Sequence, residues 1–217
     1  MTLLRSFWSA VDFRIHDWRM KNLFEKTFEN TDPWGFESWE YEKRKYHEQV
    51  LLLGERKFDK VLEIGCAEGV FTEQLSALAR EVVGLDIAKL AVKRARQRLR
   101  GLSGVRVERG SITNHPLTPD YDLIVASEVL YYLSEGHGRA HLDLVCRKLF
   151  GALIPGGLFL MSNWYDPAQP HSVAIERNIK NSLLDAGFKE REELFRQGSK
   201  GNDKHHYCLL LLEKGEG

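Results

Sequence analysis

Cysteine is scarce in this sequence: Cys66, Cys146 and Cys208 are the only three in 217 residues, widely spaced and without a C-x-x-C pair. So sparse and odd a count supplies no disulfide framework and no zinc site, and it fits a reducing compartment. No metal is expected. Long apolar runs are missing too. The opening stretch, Met1 to Met20, is broken by Arg5, Asp12, Arg14, His16, Asp17 and Arg19. Nothing there reads as a signal peptide, and no run reaches the roughly 18 residues that a membrane span needs. The expected setting is the cytoplasm, with no membrane partner. An excess of charge of either sign is also lacking, since 31 basic residues face 31 acidic ones. A binder driven to nucleic acid by electrostatics would carry a basic surplus, so nucleic acid is not an expected partner.

What remains is an ordinary globular composition, 43% hydrophobic and 29% charged, long enough for one α/β domain and an extension. Two textures divide it. Residues 1–55 are dense in rings and charges and read as a helical N-terminal extension covering the site. Residues 56–217 alternate short apolar runs with amphipathic stretches, the signature of βα units on a parallel sheet. Strands are expected at Val61–Ile64, Val82–Leu85, Val105–Glu108, Leu123–Ala126 and Leu158–Met161, then near Lys189–Phe195 and Tyr207–Leu212. Helices are expected over Val70–Ala79, Lys89–Arg100, about 138–150 and about 172–186. One or two more should precede Asp32-Pro33, and another should run Tyr41–Leu53. Only the polar segment Arg196–His205 separates the last two strands, so they must pair antiparallel. The expected fold is therefore α/β and Rossmann-like, a mostly parallel seven-stranded sheet with an antiparallel last strand and helices on both faces.

The first strand runs into Glu63-x-Gly65-x-Ala67-x-Gly69 and then directly into a helix. Glycines at such a turn let the backbone approach a ligand, although the same pattern also makes a plain tight turn. The second strand ends in Gly84-Leu85-Asp86. A carboxylate at that tip is placed to take both ribose hydroxyls of an adenosine; capping the next helix is its simpler role. A dinucleotide fingerprint counted from Gly65 needs a glycine where Val70 stands, and its middle glycine is here Ala67. Glu63, inside the strand, would repel a pyrophosphate but not a cofactor bearing an ammonium and a sulfonium. These departures select S-adenosylmethionine over a nicotinamide dinucleotide.

Glu63-x-Gly65-Cys66-Ala67-x-Gly69, Asp86 and the turn Pro155-Gly156-Gly157 look like the landmarks of class I methyltransferases. Within that superfamily the sequence resembles the nodulation protein S (NodS) family. The likeness rests on Asp32-Pro33-Trp34, on Phe71-Thr72-Glu73 after the glycine loop, and on Asp122-Leu123-Ile124-Val125 leading into Ser127-Glu128-Val129-Leu130-Tyr131-Tyr132-Leu133. The resemblance implies that Gly65, Cys66, Ala67 and Gly69 line the cofactor, that Glu63 orients its amino-acid end, and that Asp86 holds the ribose with Ile87 beside it. The Gly110-Ser111-Ile112 turn would face the adenine. Many relatives carry an acidic residue where Ser111 stands, which leaves the Ile112 backbone to serve there. Ser127 and Glu128 would sit beside the transferred methyl. Trp34, Tyr41 and Lys45, or the neighbouring Arg44, would close over the cofactor and meet its carboxylate. Packing of these rings on the sheet is an equal alternative.

On the acceptor side, Glu128, His137 and His171 are the candidate bases, with Tyr131, Tyr132 and Trp164 as walls. The histidines also read as plain surface residues. Leu4, Phe7, Trp8, Val11, Ile15 and Trp18 recur at helical spacing, for core packing or a homodimer contact. The basic run from Lys89 to Arg100 reads as a solvated face. The resemblance implies methylation of a small molecule, a sugar, amino sugar or sugar-containing product, at nitrogen or oxygen. A nucleotide-dependent oxidoreductase and a non-catalytic cofactor-binding protein of the same fold are the alternatives.

Overall fold

The computed structural model describes residues 2–134, 139–200 and 203–215, and for residues 2–14 and 200 the backbone alone. Two helices come first, α1 (Thr2–Thr27) and α2 (Glu40–Leu53). Then follow β1 (Phe58–Ile64), α3 (Val70–Ser76), β2 (Ala79–Asp86), α4 (Lys89–Arg98), β3 (Val105–Arg109) and β4 (Tyr121–Ser127). The chain goes on through α5 (Leu130–Ser134), α6 (Arg139–Ala152), β5 (Leu153–Trp164), α7 (Pro170–Asp185), β6 (Phe188–Lys200) and β7 (Asp203–Lys214). The strands form one sheet in the order β3-β2-β1-β4-β5-β7-β6. β1 to β5 pair in parallel, and β7 runs antiparallel to both β5 and β6.

The central strands are apolar throughout because both faces of the sheet are covered. Along β1, Val61 faces a cluster with Leu123, Val125, Leu158, Leu160, Phe71 and Leu75, whereas Leu62 and Ile64 face Ile124, Ala126, Phe159, Met161 and the helices α6 and α7. This alternation is the period of two of a strand, doubled by two cores. Tyr46 of α2 stacks on Phe71 of α3 with ring centroids 4.6 Å apart, which seats α2 on the first of those cores.

The expected elements form, with three differences. Where a loop was expected over Arg196–His205, residues 196–200 extend β6 and residues 203–205 extend β7, and the two strands pair out to Lys200 and Asp203. The antiparallel ladder satisfies the backbone even though the side chains are polar. The helix expected to reach Ala79 ends at Ser76, since Ala79 already pairs with Phe58. A short α5 follows β4 where no helix was expected.

The N-terminal segment is tied down by charge. Glu25 of α1 accepts from the backbone N–H of Lys89 at 2.9 Å and of Leu90 at 3.4 Å, capping the open end of α4, and pairs with Arg109 at 3.0 Å. A carboxylate at a helix N-terminus satisfies orphan donors and the helix dipole together. Glu68 accepts from the Asp32 N–H at 3.1 Å and from Arg94 at 2.6 Å. Much of the basic run on α4 is thus spent on holding the segment: Arg94 also reaches the Asn30 carbonyl, and Arg98 pairs with Glu37. Ile15 and Trp18 on α1 point outward, at 43% and 64% exposure, and take no part in the core. Among the described residues no helix is long and apolar enough to cross a membrane.

Candidate functional site

A cavity of about 270 Å³ opens where β1, β2, β3 and β4 end. Open parallel sheets take ligands beyond the carboxyl ends of their strands, where the strand order reverses, and here it reverses at β1 between β2 and β4. α1, α2 and the residues between them cover the opening. The cavity brings together fourteen of the residues singled out in the sequence. They are Gly65, Ala67, Asp86, Ile87, Ser111, Ile112, Ser127 and Glu128 from the strand ends, Tyr131, Tyr132 and Trp164 beside them, and Trp34, Tyr41 and Lys45 from the cover.

The loop after β1 has a specific shape. Gly65 and Gly69 have φ of +73° and +83°, and Ala67 has +47°, all in the left-handed region. At Gly65 a Cβ would stand 2.3 Å from Val129 Cγ2, so glycine is required there by both conformation and space. Asp86 braces the loop. Its Oδ2 accepts from the Ala67 N–H at 2.9 Å and its Oδ1 from the Ala88 N–H at 2.8 Å. The bond to Ala88 lies before α4 begins, so Asp86 is not that helix's N-cap. Burial pushes its carboxyl up to about 6, against the pull of those N–H groups.

Three residues assigned to cofactor contact stand behind the loop and do not line the cavity. Glu63 is buried and accepts from the Thr72 hydroxyl at 2.5 Å. Burial pushes it up to about 7, with Thr72 opposing and Asp86 adding to the rise. Near neutral pH it carries only part of a charge, which weakens the electrostatic case against a pyrophosphate made from it. Cys66 packs with Val92, Ala95, Leu99 and Val107 under α4, and a Cβ on Gly84 would meet its sulfur at 3.0 Å. Gly69 lets Leu99 and Ala95 approach: a Cβ there would lie 3.0 Å and 3.2 Å from them. Both residues shape the loop through α4 packing, and the short strand-to-helix spacing concealed this.

On the other side of the cavity lies a buried charge triad. Lys45 Nζ donates to Glu128 Oε1 at 2.9 Å and stands 2.7 Å from Glu42 Oε2. Its side chain is 3% exposed. Burial alone would lower its affinity for a proton, but Glu128 and Glu42 outweigh burial and hold the ammonium above its usual range. Lys45 thus pairs with these two carboxylates at the cavity wall, and Arg44 pairs with Glu48. The other Glu128 oxygen accepts from the Trp164 N–H at 2.9 Å. Glu128 has φ +58°, a conformation that costs a non-glycine residue about 1 kcal/mol or more and turns up at functional sites. Behind it Gln49, fully buried, donates to Ser127 Oγ at 3.3 Å. Tyr41 lies 5.5 Å from Lys45 Nζ and its phenol is pushed upward, by burial first and then by Glu128 and Glu42.

Of the other candidate bases, His171 sits exposed in the first turn of α7 and does not reach the cavity. His137 lies outside the described residues. Sequence reading passed over Glu42, although it stands three residues before Lys45 on one helix face, a spacing that brings side chains together. It also passed over His205 and over the α1 residues His16, Asp17, Met20 and Phe24, all of which line the cavity.

The family model for nodulation protein S (NodS) matches residues 17–163, well over half of the chain. Nodulation protein S of Sinorhizobium fredii (strain NGR234) is 26% identical over 213 residues, 96% of this chain and 95% of that protein. Nodulation protein S of Azorhizobium caulinodans is 35% identical over 117 residues, 54% of this chain and little more than half of the relative, 56%. Among solved structures, the N-methyltransferase NodS from Bradyrhizobium japonicum WM9 in complex with S-adenosyl-L-homocysteine shares the fold. Its TM-score is 0.77 at 24% identity, over 90% of this chain and 98% of that one. The chain belongs to the nodulation protein S family of S-adenosylmethionine-dependent methyltransferases.

Proposed function

We propose that this chain transfers a methyl group to an amine nitrogen of a small molecule, an amino sugar or a sugar-containing product. The observation that carries this reading is the triad at the acceptor side, where one lysine is shared by Glu42 and Glu128. The pair keeps a surplus of negative charge in a buried setting, beside Trp164, Tyr131 and Tyr132.

S-adenosylmethionine supplies, when bound, a methyl carbon made electrophilic by a positively charged sulfur. The residues fit such a ligand. The Gly65–Ala67 turn leaves room for backbone approach, and Asp86 and Glu128 offer carboxylates to a ligand of net positive charge. We assign Asp86 and Ile87 to the ribose, Ser111 and Ile112 to the adenine, and Trp34, Tyr41 and Ser127 to the cover over the amino-acid end. In the displacement the nitrogen lone pair forms the new bond to carbon and the carbon–sulfur pair leaves with sulfur. Positive charge thus passes to the nitrogen. A fixed carboxylate beside that nitrogen stabilises the charge as it develops, which lowers the barrier rather than merely binding the acceptor. Lys45 and the Trp164 N–H hold both Glu128 oxygens in place, so no reorganisation is needed at that moment. A neutral amine acceptor needs no protein group to take a proton before it attacks, whereas an alcohol acceptor would.

An alcohol acceptor has one observation in its favour, since His205 also lines the cavity and could take a hydroxyl proton. Transfer of labelled methyl to paired acceptors, amino sugars and their hydroxyl counterparts, separates the two. Label is expected on the amines; label confined to hydroxyl acceptors would overturn the nitrogen reading.

A further inference from the structure

We infer that Asp17 of α1 is the hydrogen-bond acceptor for the exocyclic amino group of the cofactor's adenine, an assignment that rests on reading this cavity as the S-adenosylmethionine site. The adenine end of the cavity is walled by Leu85, Ile87, Gly110, Ser111 and Ile112. Asp86, between Leu85 and Ile87, is assigned to the ribose and already accepts from the Ala67 and Ala88 N–H groups, and the wall adds no further carboxylate. Its one hydroxyl is turned into its own loop, where Ser111 Oγ accepts from the Thr113 N–H at 3.2 Å. An adenine amino group buried against these residues alone would lose its water and gain no strong acceptor, which is costly.

α1 crosses the same wall. Asp17 lines the cavity there, and the next turns of the helix add Met20 and Phe24. Its position is fixed from the turn itself. The Thr113 hydroxyl donates to Asp17 Oδ1 at 3.1 Å, two residues beyond Ser111, and the same hydroxyl lies 3.0 Å from His141 Nε2. A hydroxyl has one proton, so once Thr113 gives it to Asp17, His141 must be the donor to Thr113. The chain from His141 through Thr113 aims Oδ1, and among the described residues Oδ2 has a single long hydrogen-bond contact, 3.4 Å from Asn114 Nδ2. That distance lies beyond the usual range for an N–H···O bond. Oδ2 thus keeps acceptor capacity beside the Ser111-Ile112 turn.

A carboxylate in this place also reads the base. It accepts from the amino group of adenine and repels the carbonyl oxygen that hypoxanthine carries at the same position. Helix α1 becomes a base-reading element as well as a cover.

The test measures the affinity of S-adenosylhomocysteine and of S-inosylhomocysteine for the wild type, Asp17→Asn and the double variant Asp17→Asn/Ser111→Asp. The wild type should prefer the adenosyl ligand by about tenfold or more, the effect of one charge-assisted hydrogen bond. Asp17→Asn should lose most of that preference while its unliganded melting temperature stays close to that of the wild type. Returning a carboxylate at Ser111 should restore the preference, which a purely structural role of Asp17 would not allow. Adenosyl preference unchanged in Asp17→Asn would overturn the assignment and leave the cofactor site standing. Failure of the wild type to bind either ligand would overturn the cofactor reading and this assignment with it.

Discussion

Lys45→Met should expose how much the buried triad matters. Lys45, Glu42 and Glu128 have side-chain exposures of 3%, 6% and 15%, so water screens them little. Removing one partner of a buried ion pair costs about 3–5 kcal/mol, because the remaining charge stays buried without compensation. Here one cation serves two carboxylates. Each can escape the penalty by taking a proton, and the cost of that escape grows by about 1.4 kcal/mol for each unit by which the pH exceeds the ordinary carboxyl pKa of the unfolded chain. In the variant the folded state therefore binds more protons than the unfolded state above the ordinary carboxyl range, and stability falls as pH rises. Urea unfolding followed by tryptophan fluorescence should show a loss of about 3–5 kcal/mol near pH 8 that shrinks toward about pH 5. Adding Glu42→Gln to Lys45→Met should recover part of it. A loss below about 1 kcal/mol near pH 8, or one equal at every pH, would refute the picture of a desolvated triad.

Gly65→Ala should be destabilised or fail to fold, since the new methyl meets Val129 in a left-handed turn. Val129→Ala in the same chain should recover only part of the thermal stability, leaving about 1 kcal/mol of backbone strain; full recovery would show that φ contributes nothing. The Glu63 carboxyl is raised from 4.5 to about 7 by burial, so the folded state holds that proton to higher pH and the group's contribution to stability is lost as pH climbs through this window. Glu63→Gln should then be more stable than the wild type at about pH 8, by on the order of 1–3 kcal/mol, and should flatten the decline of melting temperature with pH. A steeper decline in the variant would reverse the sign of the account.

The sheet was readable because strands buried on both faces are continuous apolar runs, as Val61–Ile64 and Leu123–Ala126 are. The strand-end carboxylates Asp86 and Glu128 were readable for a related reason, since strand ends fix the rim of the site. Other features depend on distant partners. Lys45 finds Glu128 83 positions away, and Asp17 finds Thr113 at a separation of 96; neither contact leaves a local pattern. The outer half of the hairpin was hidden because Arg196–Lys200 is polar, and backbone pairing there needs no apolar face. Glu63 shows what charge alone cannot tell. Its carboxyl group was visible in the sequence, but its charge depends on burial, which suppresses it. The preference for S-adenosylmethionine over a dinucleotide rests on the family to which the chain belongs, and the glycine loop agrees with it.

Equilibrium titration of the wild type and Asp86→Ala with S-adenosylhomocysteine and with NAD tests that preference most directly. The wild type should bind S-adenosylhomocysteine and not NAD, and Asp86→Ala should weaken binding by about tenfold or more, the loss of charge-assisted bonds to the ribose. Binding of NAD without S-adenosylhomocysteine would contradict the account.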